Sequence, residues 1–142
     1  MDIVLIVRDA SASSVIGNLL LAMEAHRGGR KTAVLFTQEA LAAVARGSFA
    51  WPRELSGQQM RLMLSDHGSK VGVPVAGRGE GRQLDPRAMI TRAAEAGVSL
   101  YACPFWTDLL GLKDGLPTGL IALDSVQTLQ LIADAKTVIG SL

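Results

Sequence analysis

Ile3-Val4-Leu5-Ile6-Val7, then Asp9, Ser11 and Ser13, then Val15, Ile16, Leu19, Leu20 and Met23: this opening stretch decides the fold. An unbroken β-branched and aliphatic run suits a strand buried on both faces, as in a parallel sheet. The polar residues after it read as a turn. The next apolar residues recur at helical spacing, and that helix ends with His26 and Arg27 before Gly28-Gly29. A second strand follows from Lys31 to Phe36, and Thr37 stands where it caps a second, alanine-rich helix that Gly47 ends. Strand, helix, strand, helix with short connections is the pattern of right-handed crossovers.

Working outward, regularity fails and then returns. Phe49-Ala50-Trp51-Pro52 reads as a loop with two docking aromatics. Ser56 and Gln59 have capping-box spacing, which predicts a helix starting there and stopping near Gly68. Val71 to Val75 reads as an edge strand because of Pro74. Gly77-Arg78-Gly79-Glu80-Gly81-Arg82 reads as a mobile surface loop. Asp85-Pro86 then starts a helix that ends at Gly97. Val98 to Ala102 is a strand, Pro104 to Leu110 a helix, and Asp124 with Gln127 opens another whose apolar face is Val126, Leu129 and Ile132 or Ala133. Lys136 to Leu142 closes the chain as a strand. The expected fold is α/β: one flavodoxin-like (Rossmann-like) domain over residues 1–142, with a mostly parallel five-stranded sheet flanked by helices.

Bulk properties exclude several classes of function. The 142 residues carry a formal net charge of +1 and no long basic run, so strong binding to nucleic acid or an anionic membrane is not expected. No apolar stretch approaches the ~20 residues that span a bilayer. No basic leader precedes the first apolar run, and one cysteine allows no intrachain disulfide; both favour a reducing, cytoplasmic setting. Charged residues make up only 19% and mean hydropathy is +0.29, which leaves apolar surface for a homo-oligomer to cover.

Cys103 is the single cysteine, in Val98-Ser99-Leu100-Tyr101-Ala102-Cys103-Pro104-Phe105-Trp106. It falls at the carboxyl end of a strand and at the N-cap of the next helix. Open α/β sheets bind ligands at the carboxyl ends of their strands, and first-turn amides favour a thiolate. The ordinary alternative is an inert packed thiol.

Ser11 follows the first strand and Thr37 and Gln38 the second, so all three are candidates to line the same edge; capping alone also explains Ser and Thr there. Arg78 or Arg82 is a candidate to close over the thiol and bind an anionic substrate. Trp106, beside the cysteine, is a candidate to shield it or to anchor a subunit interface. His67 is a candidate base near a thiolate, but it and His26 each sit in the last turn of a helix, where a cation favouring the dipole is the ordinary account. Two distant histidines and one cysteine make no metal-ligand spacing. The glycine-rich segment matches neither phosphate-binding nor dinucleotide fingerprints, so neither metal nor cofactor is expected.

Tyr101-Ala102-Cys103-Pro104-Phe105-Trp106-Thr107-Asp108-Leu109-Leu110-Gly111-Leu112 resembles the cysteine region of the DsrE/DsrF-like family of small sulfur-relay proteins. In that family a strand delivers a cysteine and a short helix ending in glycine follows. The resemblance implies a flavodoxin-like sheet, a homo-oligomer (trimer or hexamer), and a Cys103 that carries sulfur as a persulfide between external thiols or sulfur-carrier proteins. Some relatives are labelled peroxiredoxin-like. The peroxidase pattern is not met, because Leu100 stands where it requires threonine, and no second cysteine resolves a sulfenic acid. The alternative is a non-enzymatic oligomeric module that binds a ligand or partner and keeps Cys103 inert.

Overall fold

The structure is a computed structural model and describes residues 1–140. Its elements run β1 (Ile3–Val7), α1 (Ala12–Arg27), β2 (Thr32–Phe36), α2 (Gln38–Arg46), α3 (Arg53–Ser56), α4 (Gln58–Lys70), β3 (Val75–Ala76) and β4 (Gln83–Leu84). They continue with α5 (Pro86–Glu95), β5 (Ser99–Ala102), α6 (Pro104–Leu109), β6 (Leu120–Ala122), α7 (Ser125–Asp134) and β7 (Thr137–Ile139). The main sheet has five strands in the order β6-β5-β2-β1-β7, and every pairing in it is parallel. The architecture expected from the opening stretch is therefore present. After β1 the chain adds β2, β5 and β6 on one side and then β7 on the other, so the connections leaving β5 and β6 run in opposite directions and the topological switch point lies between those two strands.

Alternation along the strands divides the core in two. Leu5 and Val7, Val34 and Phe36, Leu100 and Ala102, and Leu120 share one face by register. That face packs against Val15, Ile16 and Leu19 of α1, Leu41 and Val44 of α2, and Met89, Ile90 and Ala93 of α5. Val4, Ala33 and Leu35 point the other way; they are buried but lie outside that cluster. A right-handed crossover in the reversed direction carries α7 to this second face.

The second face is thinly covered. The expected apolar face of α7 looks outward: Val126 is 72% exposed and Leu129 69%, and only Thr128 of that helix is buried. Ile121, on the same face of the sheet, is also exposed.

The middle of the chain departs from expectation. Ser56 makes no cap, since its Oγ donates to the Arg53 carbonyl at 3.1 Å and the N-cap of α4 is Gly57. That helix also runs past Gly68 to Lys70, because Gly68 is a contact point: a Cβ there would lie 2.6 Å from Leu84 Cδ2. The edge strand shrinks to Val75–Ala76, paired antiparallel with Gln83–Leu84. The loop between them is tied down. It holds a 3-10 turn at Gly79–Gly81; Arg82 binds both carboxylate oxygens of Asp66, and Arg61 Nη2 donates to the Glu80 carbonyl. The closing strand is shorter than expected, and Ser141 and Leu142 lie outside the described residues.

Candidate functional site

Four strands end in register at the carboxyl edge, with Val7 opposite Phe36, Phe36 opposite Ala102 and Ala102 opposite Ala122, and on the first three of them, β1, β2 and β5, one more residue extends the row. The next residues along that row are Arg8, Thr37 and Cys103. Each is one step past a residue facing the main core, so alternation sends all three toward the thin second face.

Cys103 is fixed through its backbone. Its amide donates to the Phe36 carbonyl at 3.0 Å, continuing the ladder by one residue. Its carbonyl accepts two bonds from Thr107, from the amide at 2.9 Å and from Oγ1 at 2.7 Å. Pro104 starts α6 with no amide to leave unpaired. Cys103 is thus the N-cap of α6, as expected. Its sulfur accepts no cap hydrogen bond, and the residue is 9% exposed. Thr107 is buried and was not singled out from the sequence; a threonine four residues into a helix after its cap is the signal that finds it.

Thr37 is the N-cap of α2 without a side-chain cap bond, and its amide donates to the Val7 carbonyl at 3.0 Å. Gln38 has φ +53°, the only positive φ at a non-glycine among the described residues. The left-handed region costs a side chain roughly 1–2 kcal/mol, so this edge holds backbone strain. Ser11 is the N-cap of α1: its amide donates to Asp9 Oδ1 at 3.0 Å and its Oγ lies 2.7 Å from Ser13 Oγ. The loop after α2 returns here, with the Ala12 amide donating to Ala50 and the Ala50 amide to Ala10.

Arg8 is the cation that sequence reasoning missed. It is exposed, and its guanidinium has no hydrogen bond or ion pair among the described residues. Its carbonyl accepts from Ala40 of α2 at 3.1 Å, which anchors its backbone to the edge. Arg82 is engaged by Asp66 and by the Gly79 carbonyl, and Arg78 is exposed on the same hairpin; no bond ties either to the Cys103 edge. Trp106 packs against the main cluster, on the opposite side from the row of Arg8, Thr37 and Cys103. Beside α6 lies a cleft of about 360 Å³ lined by Pro104, Thr107 and Lys113 and by Asp124 at the start of α7. His26 packs against Gly97 at the turn before β5, and His67 is exposed on α4.

The fold has a solved counterpart. The chain is similar to the ychN protein from E. coli, whose crystal structure superposes with a TM-score of 0.60 at 18% identity, covering 99% of each chain. At that identity the likeness shows a common fold. No family model and no curated protein matches the chain. Among the described residues no helix is long and apolar enough to cross a membrane.

Proposed function

We propose that this protein handles sulfane sulfur through Cys103. The single observation that carries the reading is the placement of Cys103 at the carboxyl end of β5, its backbone amide held by Phe36 and its carbonyl by Thr107. The resemblance of residues 101–112 to the DsrE/DsrF-like cysteine region and the likeness to the ychN protein fold support it.

In the proposed reaction the Cys103 thiolate attacks the outer sulfur of a persulfide or thiosulfate donor. The donor's S–S bond breaks and its thiolate or sulfite leaves with the electron pair. Cys103 then holds a persulfide. An acceptor thiolate attacks the terminal sulfur, and Cys103 leaves as the thiolate, so no net oxidant is consumed. With one cysteine per chain, the donor and acceptor are other molecules.

Ser11, Thr37 and Gln38 line the proposed edge, with Arg8 as its cation; Arg78 and Arg82 reach it only if their hairpin rearranges. The exposed apolar face of α7 supports a homo-oligomer, and a lone cysteine, which can form no intrachain disulfide, fits a reducing, cytoplasmic setting. Mass spectrometry after treatment with a persulfide donor tests the reaction. Wild type gains 32 Da per chain, roughly one sulfur atom, and Cys103→Ser gains none; equal uptake by both refutes it.

A second reading has its own support: Cys103 is 9% exposed and its side chain makes no cap bond. In that reading Cys103 is inert and the fold serves as a binding module. Absence of alkylation in the folded protein supports it over sulfur transfer.

A further inference from the structure

We propose that two clefts separated by Arg87 form one site for a small anion that carries a flat heterocycle, the chemistry of a nucleoside monophosphate. One cleft, of about 490 Å³, lies between the end of α2, the first turns of α5 and the loop before β6, with Thr91 and Thr118 in its wall. The other, of about 320 Å³, is lined by Phe49 and Trp51 with Gln83 and Asp85. Both are bounded by Gly47 and Arg87, so a single arginine side chain divides them. Each is within the size range of small-molecule sites, roughly 300–1,000 Å³.

Arg87 is positioned by packing rather than by a carboxylate. A Cβ at Gly47 would lie 2.7 Å from Arg87 Nε and 2.9 Å from its Cδ and Cζ, so the arginine stem rests directly on the glycine. The guanidinium itself makes no hydrogen bond or ion pair among the described residues, and Arg87 is exposed. A planar fork that rests on Gly47 with all its donors open is suited to a bidentate bond with a phosphate or carboxylate.

The second cleft has the opposite character. Phe49 and Trp51 are two of only six aromatic residues in the chain, and both line it. Aromatic faces stack on flat rings. Asp85 Oδ1 already accepts the Ala88 amide at 3.1 Å, and its negative charge disfavours a phosphate on this side. Its other oxygen and the Gln83 amide suit the N–H donors of a heterocycle. The anion therefore lies on the Thr91 and Thr118 side of Arg87 and the ring on the Trp51 side. Neither cleft includes Cys103, so the site does not depend on the sulfur reading.

The test uses the full chain carrying Trp106→Phe, so that Trp51 is the only tryptophan, titrated with AMP, adenosine and inorganic phosphate. AMP shifts Trp51 emission saturably with a Kd below roughly 1 mM. Adenosine binds at least about tenfold more weakly, and phosphate competes with AMP. Arg87→Gln weakens AMP about tenfold or more and leaves adenosine unchanged, as expected for loss of a charged hydrogen-bonding partner. Trp51→Leu, read by calorimetry, weakens AMP and adenosine alike. No saturable response to AMP, or equal AMP affinity with and without Arg87 in variants whose circular dichroism matches the parent, overturns the proposal. Sulfur uptake at Cys103 is scored separately, so either result leaves the other standing.

Discussion

Replacing Arg8 by glutamine tests whether the carboxyl edge attracts anions to Cys103. The register sets the geometry: Val7, Phe36 and Ala102 are neighbours across three strands. At ~4.8 Å per strand, the α-carbons of Arg8 and Cys103 are about 10 Å apart. With the guanidinium extended along the edge, its charge stands roughly 7 Å from an anion approaching the sulfur, and Coulomb's law then gives about 0.6 kcal/mol in bulk water and about 2.4 kcal/mol at an effective dielectric of 20. Arg8 is exposed, so the lower half of that range governs, equivalent to about a 3- to 10-fold change in rate. The assay compares alkylation of Cys103 by iodoacetate, an anion, and by iodoacetamide, its neutral analogue. Arg8→Gln lowers the ratio of the two rates by about that factor, and 1 M salt abolishes the difference by shrinking the screening length to about 3 Å. A fall in both rates together marks a structural disturbance, and an unchanged ratio refutes the placement of Arg8 as the anion-attracting group.

Three further outcomes follow from local geometry. Gln38→Gly is more stable than Gln38→Ala by about 1 kcal/mol in urea denaturation, the reverse of the usual order inside a helix, because residue 38 sits at φ +53°. Asp124→Ala costs about 1 kcal/mol, since the Gln127 amide donates to Asp124 Oδ1 at 2.7 Å and the Asp124 amide donates to Gln127 Oε1 at 2.9 Å, whereas Ser56→Ala stays within about 0.5 kcal/mol. Asp2 is held below the usual carboxylate range, first by the Lys31 amide and then by the Lys136 ammonium. A depressed folded-state pKa adds stability above the unfolded value and loses it as pH falls through the folded one. Asp2→Asn therefore flattens the acid limb of a stability–pH curve below about pH 4 and leaves its shape at neutral pH unchanged.

The fold was legible where one local signal met no rival. Ile3 to Val7 is continuous because β1 is an interior strand paired on both edges, with β2 and β7, and the Asp124 capping box is present with both of its hydrogen bonds. Ser56 and Gln59 have the same spacing, yet the preceding turn Arg53–Ser56 is itself helical and takes the Ser56 hydroxyl. Gly68 looked like a stop, but a glycine is also what lets Leu84 approach a helix closely; the sequence around it does not contain the partner. The same limit applied to the candidate site. Cys103 stood out through its neighbours in sequence, whereas Arg8 matters only through a register that links residues 8, 37 and 103. The Arg82–Asp66 pair, sixteen residues apart, likewise could not be read from a glycine-rich segment.

The two faces of the sheet bear on how this edge works. The face under α1, α2 and α5 is sealed, and Trp106 belongs to it. Arg8, Thr37 and Cys103 turn toward the face that α7 covers alone, where Val126, Leu129 and Ile121 remain exposed. On the proposed homo-oligomer, the surface that a second copy buries is thus the same side of the sheet toward which the thiol row points. Association through α7 and access to Cys103 are then coupled by geometry. Apolar cover close to a persulfide keeps water and stray thiols away, and it strengthens the pull of Arg8 on an anion by lowering the local dielectric. The connections leaving β5 and β6 part in opposite directions, which places Cys103, at the end of β5, beside the crevice that open α/β sheets use for ligands, and Arg8 two strands away.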